Sequence, residues 1–98
     1  MIRSFGNKVA EALFHGLGGK EARSFPADLV KVAARKLDMV NSAHLLTDLR
    51  MPPNNHLELL KGDRKGQYSI RINRQWRVVF RWDGADAFDV SVVDYHSS

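Results

Sequence analysis

Apolar positions recur every three or four residues through the first half of this chain and every second residue through most of the rest. Ala10, Leu13, Phe14 and Leu17 stand at i, i+3, i+4 and i+7, the spacing of one helix face, and Gly16, Gly18 and Gly19 then end that helix. A second helix is predicted after Pro26, a residue that suits a first turn. Leu29, Val32, Ala33, Leu37 and Val40 form its apolar stripe, and Lys31 and Arg35 lie on the other side. Ser42 is a candidate N-cap for a short third helix reaching about Arg50. Met51 to Asn55, with two prolines and two asparagines, reads as a loop. Beyond it the period becomes two. His56 to Leu60 predicts a strand with Leu57 and Leu59 buried and with His56 and Glu58 facing the other way. Gly84 marks a turn before a last strand from Phe88 to about Tyr95, and Ile2 to Phe5 predicts a short opening strand.

The run KGDRKGQYSIRINRQWRVVFRW, from Lys61 to Trp82, predicts a β-hairpin in a defined register. Tyr68, Ile70 and Ile72 share one face of its first arm; Trp76, Val78, Phe80 and Trp82 share one face of its second. The two apolar faces coincide only if Ile72 pairs with Trp76, which leaves Asn73, Arg74 and Gln75 as the loop. A slip of one residue would turn the apolar set towards water. In this register Arg71 lies opposite Arg77 on the other face, a like-charge pairing that costs about 0.2–1 kcal/mol. Such a pair is tolerable where it holds an anion. Together these elements predict an α+β chain, with helices covering one face of an antiparallel sheet of four or more strands and the other face left open.

Composition narrows the function classes. The 98 residues predict one domain over residues 1–98, and a hydrophobic content of 44% supports a folded core. The absence of cysteine excludes disulfides, thiolate metal sites and cysteine nucleophiles. The first residues carry no long apolar run, and no segment approaches the length of a membrane-spanning helix, so a soluble, cytoplasmic protein without membrane attachment is expected. The net charge of +4 points to a polyanionic partner. Lys61, Arg64, Lys65, Arg71, Arg74, Arg77 and Arg81 all fall in the hairpin run, against the single acid Asp63. The four histidines show no metal-ligand spacing, and the glycines follow a helix rather than a strand, so neither a metal nor a phosphate-loop cofactor is expected.

On the open face the strand parity gathers His56, Glu58, Arg71 and Arg77, and the chain closes on Asp94, Tyr95 and His96. Acid and base groups beside cationic charge are what metal-free RNA cleavage needs: a base for the ribose 2′-OH, an acid for the leaving oxygen, and positive charge on the phosphorane. Each residue also has a plain structural alternative. His96 would be an exposed terminal residue, Tyr95 a ring packed on the sheet edge, Glu58 a solvated strand residue, and Asp94 an ion-pair partner of Arg77 or Arg81. Trp76 and Trp82 fall on the core parity and are assigned to the core.

The segments GDRKGQYSIRINRQWRVVFRW, FPADLVKVAARKL and the terminal DYH together resemble the HigB toxins of bacterial toxin–antitoxin modules, members of the RelE superfamily. The resemblance runs from MIRSF to VVDYH. It implies a compact RelE-like microbial-ribonuclease fold, with helices on one side of a curved antiparallel sheet. It also implies an endoribonuclease that enters the ribosomal A site and cuts translated mRNA, arresting translation and growth. The implied partners are the ribosome with its mRNA and ribosomal RNA, and a HigA-type helix-turn-helix antitoxin; operator DNA would be reached only through that antitoxin. Residue by residue, the family's terminal aspartate, tyrosine and histidine match Asp94, Tyr95 and His96, its strand arginine matches Arg77, and the lysine before Gly-Asp matches Lys61. In one branch a catalytic histidine stands four residues before that glycine, where this chain has Glu58. His56 is two residues upstream, one strand step of about 6.5–7 Å. Either Glu58 acts as base, or His56 reaches in, or neither does.

A mechanistic hypothesis built on the resemblance and on the charge pattern gives each of these residues an expected role. Arg77, helped by Arg71 and Lys61, holds the scissile phosphate; His96 is the acid or base, oriented by Asp94; Tyr95 positions the nucleotide or shares the proton transfer. Arg64, Lys31 and Arg35 add RNA- or ribosome-binding charge. Two further classes remain open on the residues alone: a non-catalytic RNA- or DNA-binding module using the same basic sheet, and a protein-interaction domain for an acidic partner.

Overall fold

A computed structural model describes residues 1–95 and has helices on one face of a four-stranded antiparallel sheet, in the order β1-β2-β3-β4. Helix α1 spans Lys8–His15; its N-cap Asn7 accepts from the Ala10 amide, and Gly16 ends it at φ 68°, a conformation that suits glycine. A single helical turn, α2, spans Lys20–Arg23 in the glycine-rich stretch. The second long helix, α3, is Val30–Ser42, entered through a 3₁₀ turn at Ala27–Leu29. Ala33, Leu37 and Val40 are buried while Lys31 and Arg35 face solvent, as their spacing predicts.

The third predicted helix is corrected in two respects. Ser42 ends α3 rather than capping a new helix, and Leu46–Arg50 is a 3₁₀ turn. Its entry is held by Asp48, whose carboxylate accepts from the Leu45 and His44 amides at 3.0 Å each. Those backbone bonds, Leu45 first, lower the Asp48 pKa below its usual value, since they favour the charged form.

Strand β1 is only Glu58–Leu59, paired with β2, Tyr68–Arg71. Strands β3, Trp76–Asp83, and β4, Asp86–Asp94, form the long hairpin of the sheet. The β2–β3 register is the predicted one: Ile70 faces Val78, Arg71 faces Arg77, and the Ile72 amide donates to the Trp76 carbonyl at 2.9 Å. Asn73 shapes the loop, its Oδ1 accepting from the Gln75 and Trp76 amides at 2.9 and 2.7 Å. A bulge between Val79 and Arg81, with Asp89 at φ 53°, bends β4 around the core. The opening segment makes isolated parallel bridges from Ile2 to Ala87 and from Phe5 to Val90 rather than a strand of its own. There Gly6 passes so near β4 that a Cβ would stand 2.7 Å from the Asp89 carbonyl oxygen.

Phe80, Leu37, Leu49, Ile70, Val40 and Val78 fill the centre of the core, and complete burial of such side chains contributes about 1.5–3 kcal/mol each. Trp76 and Trp82 pack against it, Trp76 edge-on to Phe25 with ring centroids 4.9 Å apart. The predicted parity of β1 fails beyond Glu58. Leu59 is 59% exposed, and Leu60 is buried in its place, because a two-residue strand ends before its alternation is fixed by packing.

Ahead of β1 lies a buried polar pair that the sequence pattern does not announce. Asn55 is fully buried; its Oδ1 accepts from Lys36 Nζ at 2.6 Å, and its Nδ2 donates to the Leu49 and Met51 carbonyls at 3.1 and 3.3 Å. Burial pushes the Lys36 ammonium pKa down, and the charge of Arg35 adds to the shift. This pair ties α3 to the loop that delivers the chain into β1.

Candidate active site

The β2–β3 register brings Arg77 to the face away from the helices, where it is only 7% exposed. Its Nη1 donates to Ser69 Oγ at 2.8 Å and to the His56 carbonyl at 3.4 Å, and its Nη2 donates to Glu58 Oε1 at 3.0 Å. The guanidinium carbon stands 4.9 Å from the centre of the Tyr95 ring. These partners come from β1, β2 and the residue after β4, so the whole width of the sheet converges on one cation. A charge this buried is sustained only where it is paired and hydrogen-bonded, and Glu58 and Ser69 meet that need. The predicted repulsion between Arg71 and Arg77 is thus offset for Arg77 by Glu58, its ion-pair partner across β2.

An open cleft of about 570 Å³ adjoins this cluster, lined by Lys61, Asp63, Arg64, Gln67 and Tyr95. Lys61 and Arg64 bracket a 3₁₀ turn, Gly62–Arg64, that follows β1, while Tyr95 is held by its amide on the Gln75 carbonyl. Asp94 closes β4 beside it, accepting from Gln75 Nε2 at 2.9 Å. Arg81 is paired with Asp89 at 3.3 Å.

The sequence-derived residues therefore separate into groups. Glu58, Arg77 and Tyr95 form one contact cluster, with Lys61 and Arg64 in the adjoining cleft and Asp94 next along the chain. His56 reaches the cluster through its backbone carbonyl. It lies outside β1, at φ 46° after the turn Pro53–Asn55, so strand parity does not govern its exposed side chain. Arg71 sits beside Arg77 in the pairing but lines a different cleft with Arg35. Lys31 is exposed on α3. His96 lies outside the described residues. Ser69 and Gln75 join the site without having been expected there. Ser69 did carry a signal, as the polar residue of open-face parity between Tyr68 and Ile70, whereas Gln75 acts through a turn that only the fold creates.

The model of the RelE-like toxins of type II toxin–antitoxin systems, HigB, matches residues 3–96. The chain belongs to the HigB-like toxin family. Toxin HigB-1 of Vibrio cholerae is 41% identical to it over 82 residues, 84% of each chain. Endoribonuclease HigB of Proteus vulgaris is 33% identical over 97 residues, 98% of this chain and 100% of that one. Among solved structures, a chain of the YoeB–YefM complex from Staphylococcus aureus superposes with a TM-score of 0.59 over 98% of both chains at 19% identity, a likeness of fold. The α+β architecture is thus RelE-like, and HigB-family membership makes this chain the toxin of a type II module, whose partner is an antitoxin. Among the described residues no helix is long and apolar enough to cross a membrane.

Proposed function

We propose that this toxin is a ribosome-dependent endoribonuclease that cuts translated mRNA in the A site. The observation that carries the reading is the buried Arg77 guanidinium, fixed by Ser69 and Glu58 at the edge of a basic cleft. A pre-oriented cation at that point stabilises charge that develops on a phosphorane without reorganising during the reaction. The ribonuclease relative in Proteus vulgaris supports the same chemistry.

In the proposed reaction the ribose 2′-oxygen attacks the adjacent phosphorus and loses its proton to a base. The bond from phosphorus to the 5′-oxygen breaks, and that oxygen takes a proton from an acid, leaving a 2′,3′-cyclic phosphate and a 5′-hydroxyl. Arg77, with Lys61, holds the scissile phosphate, while Arg71, which lines a different cleft, holds RNA beside it. Glu58 is the proposed base, because its carboxylate lies 3.0 Å from the group that would bind the phosphate, whereas His56 offers the cluster its carbonyl. His96 is the proposed acid, oriented by Asp94, and Tyr95 positions the nucleotide. No metal is required by this scheme. Lys31, Arg35 and Arg64 would grip RNA of the ribosome, and a HigA-type helix-turn-helix antitoxin would silence the toxin and carry it to operator DNA in the cytoplasm.

The test adds the purified chain to translating ribosomes and maps mRNA ends by primer extension. Cuts that require translation and disappear with Arg77→Ala and with His96→Ala are expected. Salt-sensitive ribosome binding with no cuts would instead mark a non-catalytic RNA-binding module.

A further inference from the structure

A second cleft of about 500 Å³, lined by Arg71 but not by Arg77, opens between α3 and the β2–β3 loop. Arg35 and Lys36 line it from α3, Arg71 and Arg74 from the hairpin, and among the described residues no carboxylate contributes. None of these four cations has an ion-pair partner among the described residues. Lys36 gives its ammonium to Asn55, so Arg35, Arg71 and Arg74 are the cations left to a ligand. The Nε of Arg71 is buried without a hydrogen-bond acceptor among the described residues, a deficit that native structures rarely leave. Strand β1 pairs only with Tyr68 and Ser69, so β2 is uncovered at Arg71 and the cleft lies open at the sheet edge. Like charges gathered without counter-ions raise the free energy of the empty site, and a bound anion removes that penalty.

Resting on the ribonuclease reading above, we infer that this cleft is a second phosphate subsite, in which Arg35, Arg71 and Arg74 hold an RNA phosphodiester neighbouring the one on Arg77. Arg71 and Arg77 face each other directly across paired strands, so one strand of RNA spans both sites. Arginine suits the role, since its planar fork matches phosphate oxygens. An acidic protein segment is the less fitting occupant. It would gain little from the apolar lining, which is limited to Val32 and Ile72.

The test uses Arg35→Gln with Arg74→Gln, both on exposed side chains whose loss leaves the core untouched. Binding of a short RNA carrying 2′-deoxyribose at the cleavage position is measured against salt, alongside binding to ribosomes and to antitoxin. Each lost single-strand phosphate contact lowers the slope of log K on log salt by about 0.7. A fall of about 0.7 with the short RNA is expected, and places the phosphate on the cleaved strand. A fall confined to ribosome binding places the phosphate on ribosomal RNA and overturns the neighbouring-phosphate assignment. An unchanged slope in both, or a loss confined to antitoxin binding, overturns the proposal. Arg77→Ala is measured in parallel. If it leaves translation-dependent cleavage intact while the double variant still lowers the slope, the catalytic assignment fails and the subsite stands.

Discussion

Replacing Asn55 with alanine is expected to damage this toxin more than any exposed substitution near the site. Asn55 has no solvent exposure and satisfies three groups: the Lys36 ammonium, and the Leu49 and Met51 carbonyls. A hydrogen bond to a charged group contributes about 1.5–3 kcal/mol, and a buried polar group stripped of its partner costs about 1–3 kcal/mol. Allowing for overlap and a small cavity, the loss is about 3–5 kcal/mol, a large share of the roughly 5–15 kcal/mol of a typical domain. Urea unfolding followed by tryptophan fluorescence reads it, because Trp76 and Trp82 both pack against the core. The decisive measurement is a double-mutant cycle with Lys36→Met, which keeps the aliphatic stem and removes the charge. A coupling of about 1.5–3 kcal/mol is expected if the ammonium–amide bond carries the effect. Coupling below about 0.5 kcal/mol would refute the reasoning, since residues that do not interact are additive within that margin.

Three other perturbations have outcomes set by the same structure. Asp48 has a lowered pKa in the folded chain, so the unfolded chain binds its proton first as pH falls. Its contribution is present above pH 3.8 and lost through the lower folded value, and Asp48→Asn should flatten that acid limb of a stability–pH profile. Gly6→Ala should destabilise by about 1–3 kcal/mol, as overpacking does, because the new Cβ would meet the Asp89 carbonyl and the Ser91 side chain. Ser69→Ala, measured by the same urea unfolding and by primer extension, should cost about 1–3 kcal/mol and reduce cleavage, because it strips a buried Arg77 N–H of its acceptor.

How much of the molecule is legible in its residues depends on the range of the interactions. The β2–β3 hairpin is legible because a period of two and a three-residue loop leave a single register that buries both arms. Helix α3 is legible because five apolar residues lie on one stripe. Strand β1 is not, since two residues cannot establish an alternation and the exposure of Leu59 is decided by where the sheet ends. The burial of Lys36 is also beyond local pattern, because its partner lies 19 residues away and a lysine at that helix position normally reaches solvent. At the site, residue types on the open face point to the cluster that Glu58 and Tyr95 form around Arg77. The strand parity applied to His56 does not survive the turn that precedes β1.

The base is the question on which the mechanism turns, and the Glu58–Arg77 pair gives it a sharp form. An arginine offers five donors, and the bonds to Ser69, His56 and Glu58 leave room for a phosphate on the same fork. Glu58 can therefore stay bound to Arg77 while RNA is held, either orienting the cation or also taking the 2′-OH proton. Glu58→Gln separates these roles, because the amide oxygen still accepts from Nη2 but is no base at neutral pH. If Glu58 only orients Arg77, Glu58→Gln should retain most of the cleavage that Glu58→Ala loses. If it is the base, both variants should fall by a similar factor of about 10²–10⁴, the usual contribution of general base catalysis. Primer extension on translating ribosomes measures both. Full activity in Glu58→Gln would remove Glu58 as base and leave the proton to His56, His96 or water.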